Sequence, residues 1–229
     1  TLTQTHKMKP IVCKFGGTSL ASASQVSKVL QIIKQDCRRT HVVVSAPGKR
    51  FPGDTKVTDL LYQWYEHLEK QESLKAAKVV RDIRDRYEEI TTGLGIEFDL
   101  ESEFREIKEE YGQALFPKCY ILSRGEYLCA KIVAKALDWK FVDAKGCILI
   151  TPDSSYADNM AFEKLSGKNI VIPGFYGANS SGQIKTFSRG GSDITGALIA
   201  RALEAERYEN WTDVPGILTA DPRIVPNAQ

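Results

Sequence analysis

Charge of one sign, metal-binding side chains and long apolar runs are all scarce in this sequence. Its 31 Lys and Arg nearly balance its 29 Asp and Glu, for a net charge of +2. So balanced a chain has no global field to draw it to nucleic acid or to a membrane, and any anion must be bound by a local site. No apolar run approaches the roughly 18 residues that suggest a membrane helix. Residues 1–9 are polar and lack an apolar signal core. They open on Thr1 rather than Met, as a processed chain would. The expected compartment is the cytoplasm. The histidines are only three, at positions 6, 41 and 67, too scattered for a zinc set. Five cysteines (Cys13, Cys37, Cys119, Cys129 and Cys147) form no CxxC pair and are odd in number. Reduced thiols, most of them buried, are expected rather than a disulfide framework. Neither GxxxxGK[ST] nor GxGxxG spacing occurs, which excludes a Walker loop and a dinucleotide fingerprint.

What the sequence does contain is an alternation of short apolar runs with longer helical patterns. At 229 residues and 42% hydrophobic it is long enough for one large domain or two small ones. A strand is expected over residues 10–15, running into Gly16-Gly17-Thr18-Ser19. Val26, Val29, Leu30, Ile33 and Cys37 then recur at helical spacing. Residues 41–45 read as a buried parallel strand, followed by a polar loop over 46–56. Leu60, Leu61, Trp64, Tyr65 and Leu68 share a helical face, as do Leu74, Ala77, Val80, Ile83, Tyr87 and Ile90, with Gly93 and Gly95 ending that helix. A further charged helix is expected over 99–113. This block is too rich in Glu, Lys and Arg to be interior, so it reads as an outer layer or lobe with solvated faces. Ser123-Arg124-Gly125-Glu126 is read as opening another helix. Strands are expected at 141–142, 147–150 and 170–172, a hairpin around Gly182, a helix over 194–206 and a strand over 208–212. Such alternation implies a mainly parallel sheet covered on both faces. Ligands bind beyond the carboxyl ends of strands in such sheets. The unusual segments follow the first strand, the strand at Ile170 and the strand at Tyr208.

Gly16-Gly17, between a strand and a helix, would let backbone amides approach an anion, with the helix dipole assisting. Lys14, two residues earlier, could bridge phosphate oxygens. Alone, the pair reads equally as a tight turn. Arg189-Gly190-Gly191-Ser192-Asp193 repeats the logic at a second helix start, where Ser192 and Asp193 also read as helix caps. Thr58 reads as an N-cap or a ligand, and Glu126 as a first-turn dipole residue or a ligand. Asp221-Pro222 reads as a turn or part of a site.

Together, Lys14-Phe15-Gly16-Gly17-Thr18-Ser19, Ser123-Arg124-Gly125-Glu126, Gly174-Phe175-Tyr176-Gly177-Ala178, Thr186 to Thr195, and Thr212 to Arg223 resemble, in order, the motifs of aspartate kinases in the amino-acid kinase superfamily. The resemblance spans residues 10–226. It implies a three-layer αβα sandwich with a mainly parallel central sheet, the amino-acid kinase or carbamate kinase-like fold. It implies an aspartate-binding lobe over about 10–170 and a nucleotide-binding lobe from about 170. It also implies transfer of phosphoryl from ATP, with Mg²⁺, to the β-carboxylate of L-aspartate, the first step toward lysine, threonine and methionine.

The roles it implies are these. Lys14 neutralises the moving phosphoryl group and Asp193 positions Lys14 or the substrate amine. Gly16, Gly17 and Ser19 order or contact phosphate. Thr58, Glu126, Arg189 and Ser192 hold aspartate, Glu126 by its α-ammonium and Arg189 by a bidentate carboxylate fork. Thr212, Asp213, Leu218 and Arg223 fall where the family binds nucleotide. No metal ligand is assigned. The chemistry is consistent: a β-carboxyl with an ordinary pKa of ~3.9 is already ionised at pH 7 and needs no general base. The difficulty is bringing two anions together, which cations and amides address.

The resemblance would continue past Gln229 into further helices, a lysine-containing nucleotide segment and usually two ACT regulatory domains. The chain is therefore expected to be a fragment of a protein that forms a homo-oligomer, with no nucleic-acid or membrane partner. The alternatives are an inactive shortened chain or a metabolite-binding module of the same fold. Another alternative is a kinase for N-acetylglutamate, glutamate, carbamate or uridylate, whose motifs match these segments less well.

Overall fold

The computed structural model describes residues 8–151, 162–187 and 190–213. The chain runs through β1 (Ile11–Phe15), a 3₁₀ turn (Gly17–Leu20), α1 (Ala23–Lys34), β2 (Arg39–Val44), α2 (Val57–Glu69), α3 (Ser73–Leu94) and α4 (Leu100–Tyr111). It continues through α5 (Pro117–Leu137), β3 (Lys140–Phe141), α6 (Phe162–Leu165), β4 (Ile170–Pro173), β5 (Tyr176–Ala178), β6 (Ile184–Thr186), α7 (Gly191–Ala202) and β7 (Arg207–Trp211).

Among the described residues the main sheet has the order β3-β4-β2-β1-β7, and every pairing in it is parallel. β1 and β4 are buried throughout and β2 from Thr40 onward, as strands covered on both faces must be. The two faces can be told apart from successive residues of β1, which point opposite ways. Lys14 reaches Asp193 of α7. Cys13 donates to Glu209, which also receives Nε of Arg39, and Arg39 in turn donates to the Ile32 carbonyl of α1. So α1 and α7 cover opposite faces. α5 lies beside α1, across β2, β3 and β4. The result is the expected three-layer αβα arrangement.

Helices α2, α3 and α4 form the outer block, with α2 packed on α3 and α5, and α3 also on α1. Their charged faces are solvated, as expected. The inner face carries Leu61, Trp64, Ile83, Tyr87, Ile90, Phe104 and Ile107, all buried. This lobe therefore shares one continuous core with the sheet.

Several boundaries differ from the expectation, each for a local reason. α5 starts at Pro117, where a proline at the first helical position has no N–H to lose. Ser123 to Glu126 therefore lie inside the helix and not at its start. Buried on nearly every side, this helix has little polar face to betray its period. α3 runs through Gly93 and stops at Leu94, with Gly95 at φ 67° supplying the left-handed cap. Cys37 lies past the end of α1 and is exposed, while Cys13, Cys129 and Cys147 are buried and all five are free. Residues 147–150 form isolated bridges rather than a strand, with Leu149 opposite Ala178. The hairpin around Gly182 is present as β5 paired with β6. α7 begins at Gly191, three residues before its expected start.

Gly93 is retained because α1 presses on it: a Cβ built there would collide with the Cβ of Ala23. In an open helix interior, Gly→Ala stabilises by roughly 1 kcal/mol. Here overpacking, at about 1–3 kcal/mol, opposes and outweighs that gain. Gly93→Ala is expected to lower the melting temperature, and Ala23→Gly in the same chain to restore it. A rise in melting temperature for Gly93→Ala alone would show that α1 can retreat.

Candidate active site

The carboxyl ends of β1, β2, β4 and β7 and the start of α7 open on one cleft of about 950 Å³. Four adjacent parallel strands place their following loops along the same edge, so residues far apart in sequence converge there. Lys14, Gly17, Thr58, Glu126, Ser192, Asp193 and Asp213 all line it.

Lys14 leaves β1 one residue before the strand ends and is only 8% exposed. Its Nζ lies 2.7 Å from Oδ1 of Asp193, whose side chain is 48% exposed. A buried ammonium needs such a partner. Asp193 is delivered by the first turn of α7, which follows Gly190 at φ 73°, a left-handed conformation that favours glycine. Gly190 is the N-cap residue, and no side chain caps the helix. Ser192 and Asp193 therefore sit inside the first turn and do not serve as caps. Tyr208 of β7 donates its hydroxyl to the Asp193 carbonyl at 3.2 Å, which steadies that turn. Ser192 packs so close to Gly174 that a Cβ on Gly174 would come within 2.6 Å of it. Phe175, also on the cleft, holds φ 75°, an uncommon and strained value for an aromatic residue.

The glycine turn after β1 is tied into the scaffold through two of its amides. The Gly16 amide donates to the Trp211 carbonyl of β7 at 3.2 Å, and the Ser19 amide to the Gly16 carbonyl at 3.1 Å. Gly17 accepts from the Gly48 amide at 2.8 Å. A Cβ on Gly17 would stand 2.9 Å from the Ala46 carbonyl, and one on Gly48 would stand 2.7 Å from the Gly17 carbonyl carbon. These two glycines let the loops after β1 and β2 touch backbone to backbone. Gly16, Ser19 and Thr212 flank the cleft without lining it. Arg189, Leu218 and Arg223 lie outside the described residues.

Glu126 enters from below, on the middle of α5. It is 5% exposed, and its Oε2 has no hydrogen-bond partner among the described residues. Burial pushes its carboxyl up to about 8, opposed by the hydrogen bond it accepts from the Ala46 amide. Next to it, Gly125 leaves room for Ala46 and Leu61 against the helix, and its carbonyl accepts from Tyr87 Oη at 2.6 Å. Thr58 is the second residue of α2, whose N-cap is Lys56.

Residues 46–56, expected to be a polar loop, contribute Pro47, Lys49, Phe51 and Lys56 to the lining of the cleft. The loop's basic residues just before Thr58 were the available signal. Among the described residues no group of three or more His, Cys, Asp or Glu side chains converges as a metal site.

The site thus offers a buried cation braced by a carboxylate and, opposite it, a desolvated carboxyl short of one partner. This suits a small ligand carrying both an anionic and an ammonium group. The model of the amino acid kinase family matches residues 9–229. Aspartokinase 3 of Bacillus subtilis (strain 168) is 35% identical over 238 residues, covering 94% of this chain and 51% of that protein. Lysine-sensitive aspartokinase 3 of Escherichia coli (strain K12) is 31% identical, covering 96% and 52%. Among solved structures, the aspartate kinase of Clostridium acetobutylicum superposes with a TM-score of 0.86 at 42% identity, over 97% of this chain and 52% of that one. E. coli aspartokinase III in complex with aspartate and ADP gives 0.81 at 27% identity, over 96% and 53%. The chain spans about half the length of the curated relatives it matches. The match of the family model over nearly the whole sequence, on a parallel αβα sheet of this order, means that this chain belongs to the amino acid kinase family.

Proposed function

We propose that this chain carries the catalytic domain of an aspartate kinase, which moves the γ-phosphoryl group of ATP to the β-carboxylate of L-aspartate and yields 4-phospho-L-aspartate and ADP. The observation that carries the reading is the pairing of a braced cation, Lys14 with Asp193, and an under-partnered buried carboxyl, Glu126, across one cleft. A related enzyme has been solved with both aspartate and ADP, and this chain shares its fold.

In this scheme a β-carboxylate oxygen forms a bond to the γ-phosphorus while the bond to the β,γ-bridging oxygen breaks. No proton need be removed, because the acceptor is already an anion. Lys14 offsets the charge gathered as two anions meet, and Asp193 keeps its ammonium aimed. Glu126 takes the α-ammonium, while Thr58, Ser192 and Arg189 hold the rest of the amino acid. Gly17 keeps the loops at the phosphate side in contact, with Gly16 and Ser19 ordering the same turn. The role of Thr212, Asp213, Leu218 and Arg223 is to hold the nucleotide. Mg²⁺, bound together with ATP, would supply further charge neutralisation for the transfer. Residues from about 170 onward make up the nucleotide lobe and those before it the aspartate lobe. In the cell the product would enter lysine, threonine and methionine synthesis, in the cytoplasm, from a homo-oligomer. No helix among the described residues is long and apolar enough to cross a membrane.

A coupled assay with ATP, Mg²⁺ and L-aspartate, trapping the acyl phosphate as a hydroxamate, tests the reading on this chain and on the full protein. Hydroxamate formed with N-acetylglutamate and none with aspartate, in the full protein, would sink it.

Lys14→Ala should lower turnover by ~10² to 10³, the usual loss for one such stabiliser. Near-normal turnover would remove Lys14 from the mechanism. Glu126 sets a pH dependence. With its carboxyl raised to about 8, it is mostly protonated at pH 7 in the free protein. An incoming ammonium favours the ionised form, so binding expels a proton. The KM for aspartate should therefore fall as pH rises from 7 toward 9, and calorimetry at pH 7 should show a buffer-dependent heat of aspartate binding. Glu126→Gln should abolish both. Their persistence in that variant would assign the proton to another group.

A further inference from the structure

Arg86 lies on α3, in the outer helical lobe, and does not line the cleft. It is nevertheless 5% exposed, and its guanidinium is spread over three carbonyls from two separate loops. NH2 donates to the Gly48 carbonyl at 2.8 Å and to the Ala21 carbonyl at 3.3 Å, and NH1 to the Thr55 carbonyl at 2.9 Å. NH1 also pairs with Oδ2 of Asp54 at 3.1 Å. Asp54 is held in turn by Arg50, through Nε at 2.8 Å and NH2 at 3.0 Å, and Arg50 reaches Glu89 of the same helix at 2.6 Å.

Ala21 follows the glycine turn after β1. Gly48 and Thr55 bracket the loop between β2 and α2, and Gly48 is the residue that touches Gly17. One planar fork therefore fixes both loops against the same helix. A lysine could not, since a single nitrogen has no fork to span three carbonyls.

We propose that Arg86 is a positioning residue: it sets the spacing of the two loops between which the substrates bind. The inference deepens the kinase reading and rests on it. Without the tether, the loop carrying Lys49, Lys56 and the approach to Thr58 loses its fixed shape. Substrate binding then has to order it first.

The test uses the full protein, as wild type, Arg86→Lys and Asp54→Asn. Trypsin cleavage after Lys49, Arg50 and Lys56, followed by mass spectrometry, reads the tether without any assay of activity. Arg86→Lys should be cut there at least about 5-fold faster, with sites such as Lys34 unchanged, as expected for local opening of a released loop. KM for aspartate and ATP should rise by about 10-fold with kcat within about 3-fold, a loss of orientation rather than of chemistry. Asp54→Asn, which keeps the carbonyl bonds, should move the same readouts in the same direction by less, and carries the test should Arg86→Lys not fold. Unchanged cleavage in the loop overturns the proposal, and so does a kcat that falls with the folded fraction at constant KM. A wild type that makes no aspartyl phosphate overturns the kinase reading instead, and the cleavage arm still reports on Arg86.

Discussion

An ammonium group buried at the carboxyl end of an interior strand must be compensated, and in this fold the compensation comes from the helix that covers the face to which the lysine points. Lys14 can remain charged because Asp193 stands 2.7 Å away. Asp193 can stand there because α7 begins where it does, after a left-handed glycine and beneath Tyr208. The requirement propagates outward. Gly174 and Gly191 lack side chains because Ser192, Phe175 and Phe187 crowd the same helix start, where a Cβ would meet them at 2.6 to 2.9 Å. The end of β1, the loop after β4 and the first turn of α7 thus form one unit whose dimensions are set by a single charge pair.

On the opposite side of the cleft the logic is desolvation without full compensation. Glu126 is embedded in a helix that is itself buried on most sides, and the Ala46 amide satisfies only part of its carboxyl. A group held this way is costly to the empty protein. Its folded-state carboxyl is raised above the ordinary value, so between roughly pH 4.5 and 8 the folded chain binds more protons than the unfolded one. Its contribution to stability is present below that window and is lost as pH rises through it. Above that window the ionised carboxylate is at its costliest, so a cationic partner there is favourable.

Much of the scaffold could be read from the residues. Val42 to Val44 and Ile170 to Ile172 are unbroken apolar runs with only one plausible place in a covered parallel sheet. The face of α2 shows its helical spacing because the other faces meet water, whereas the buried face of α3 begins with Ala76 and Val79 and joins the expected one only at Ile83, leaving Leu74 and Ala77 exposed. Legibility fails where that contrast disappears. α5 hides its beginning because it has almost no wet face. Gly93 looked like a helix end, since the collision with Ala23 that explains it lies 70 residues away in sequence. The site was legible as a set of motifs, with Lys14, Glu126 and Asp193 brought into one cleft. What individual residues do within those motifs was not. Gly17 serves a contact with Gly48, and the Gly16 and Ser19 amides are already engaged within the scaffold. Arg86 gave no signal, because on a helix crowded with charge it looks like any other arginine, and apart from Asp54 its partners are carbonyls, which carry no sequence.

That last feature has a consequence for how such a site can change over time. Asp54 and its partner Arg50 apart, a tie made to main-chain oxygens is blind to the side chains of the loops it secures. Lys49, Phe51, Pro52 and Lys56 can be exchanged for residues of other size and charge while the carbonyls of Gly48 and Thr55 stay where the guanidinium holds them. Anchorage and selectivity are then separate inheritances. The mouth of the cleft is free to be rewritten for a different ligand while the frame that keeps it open is left untouched.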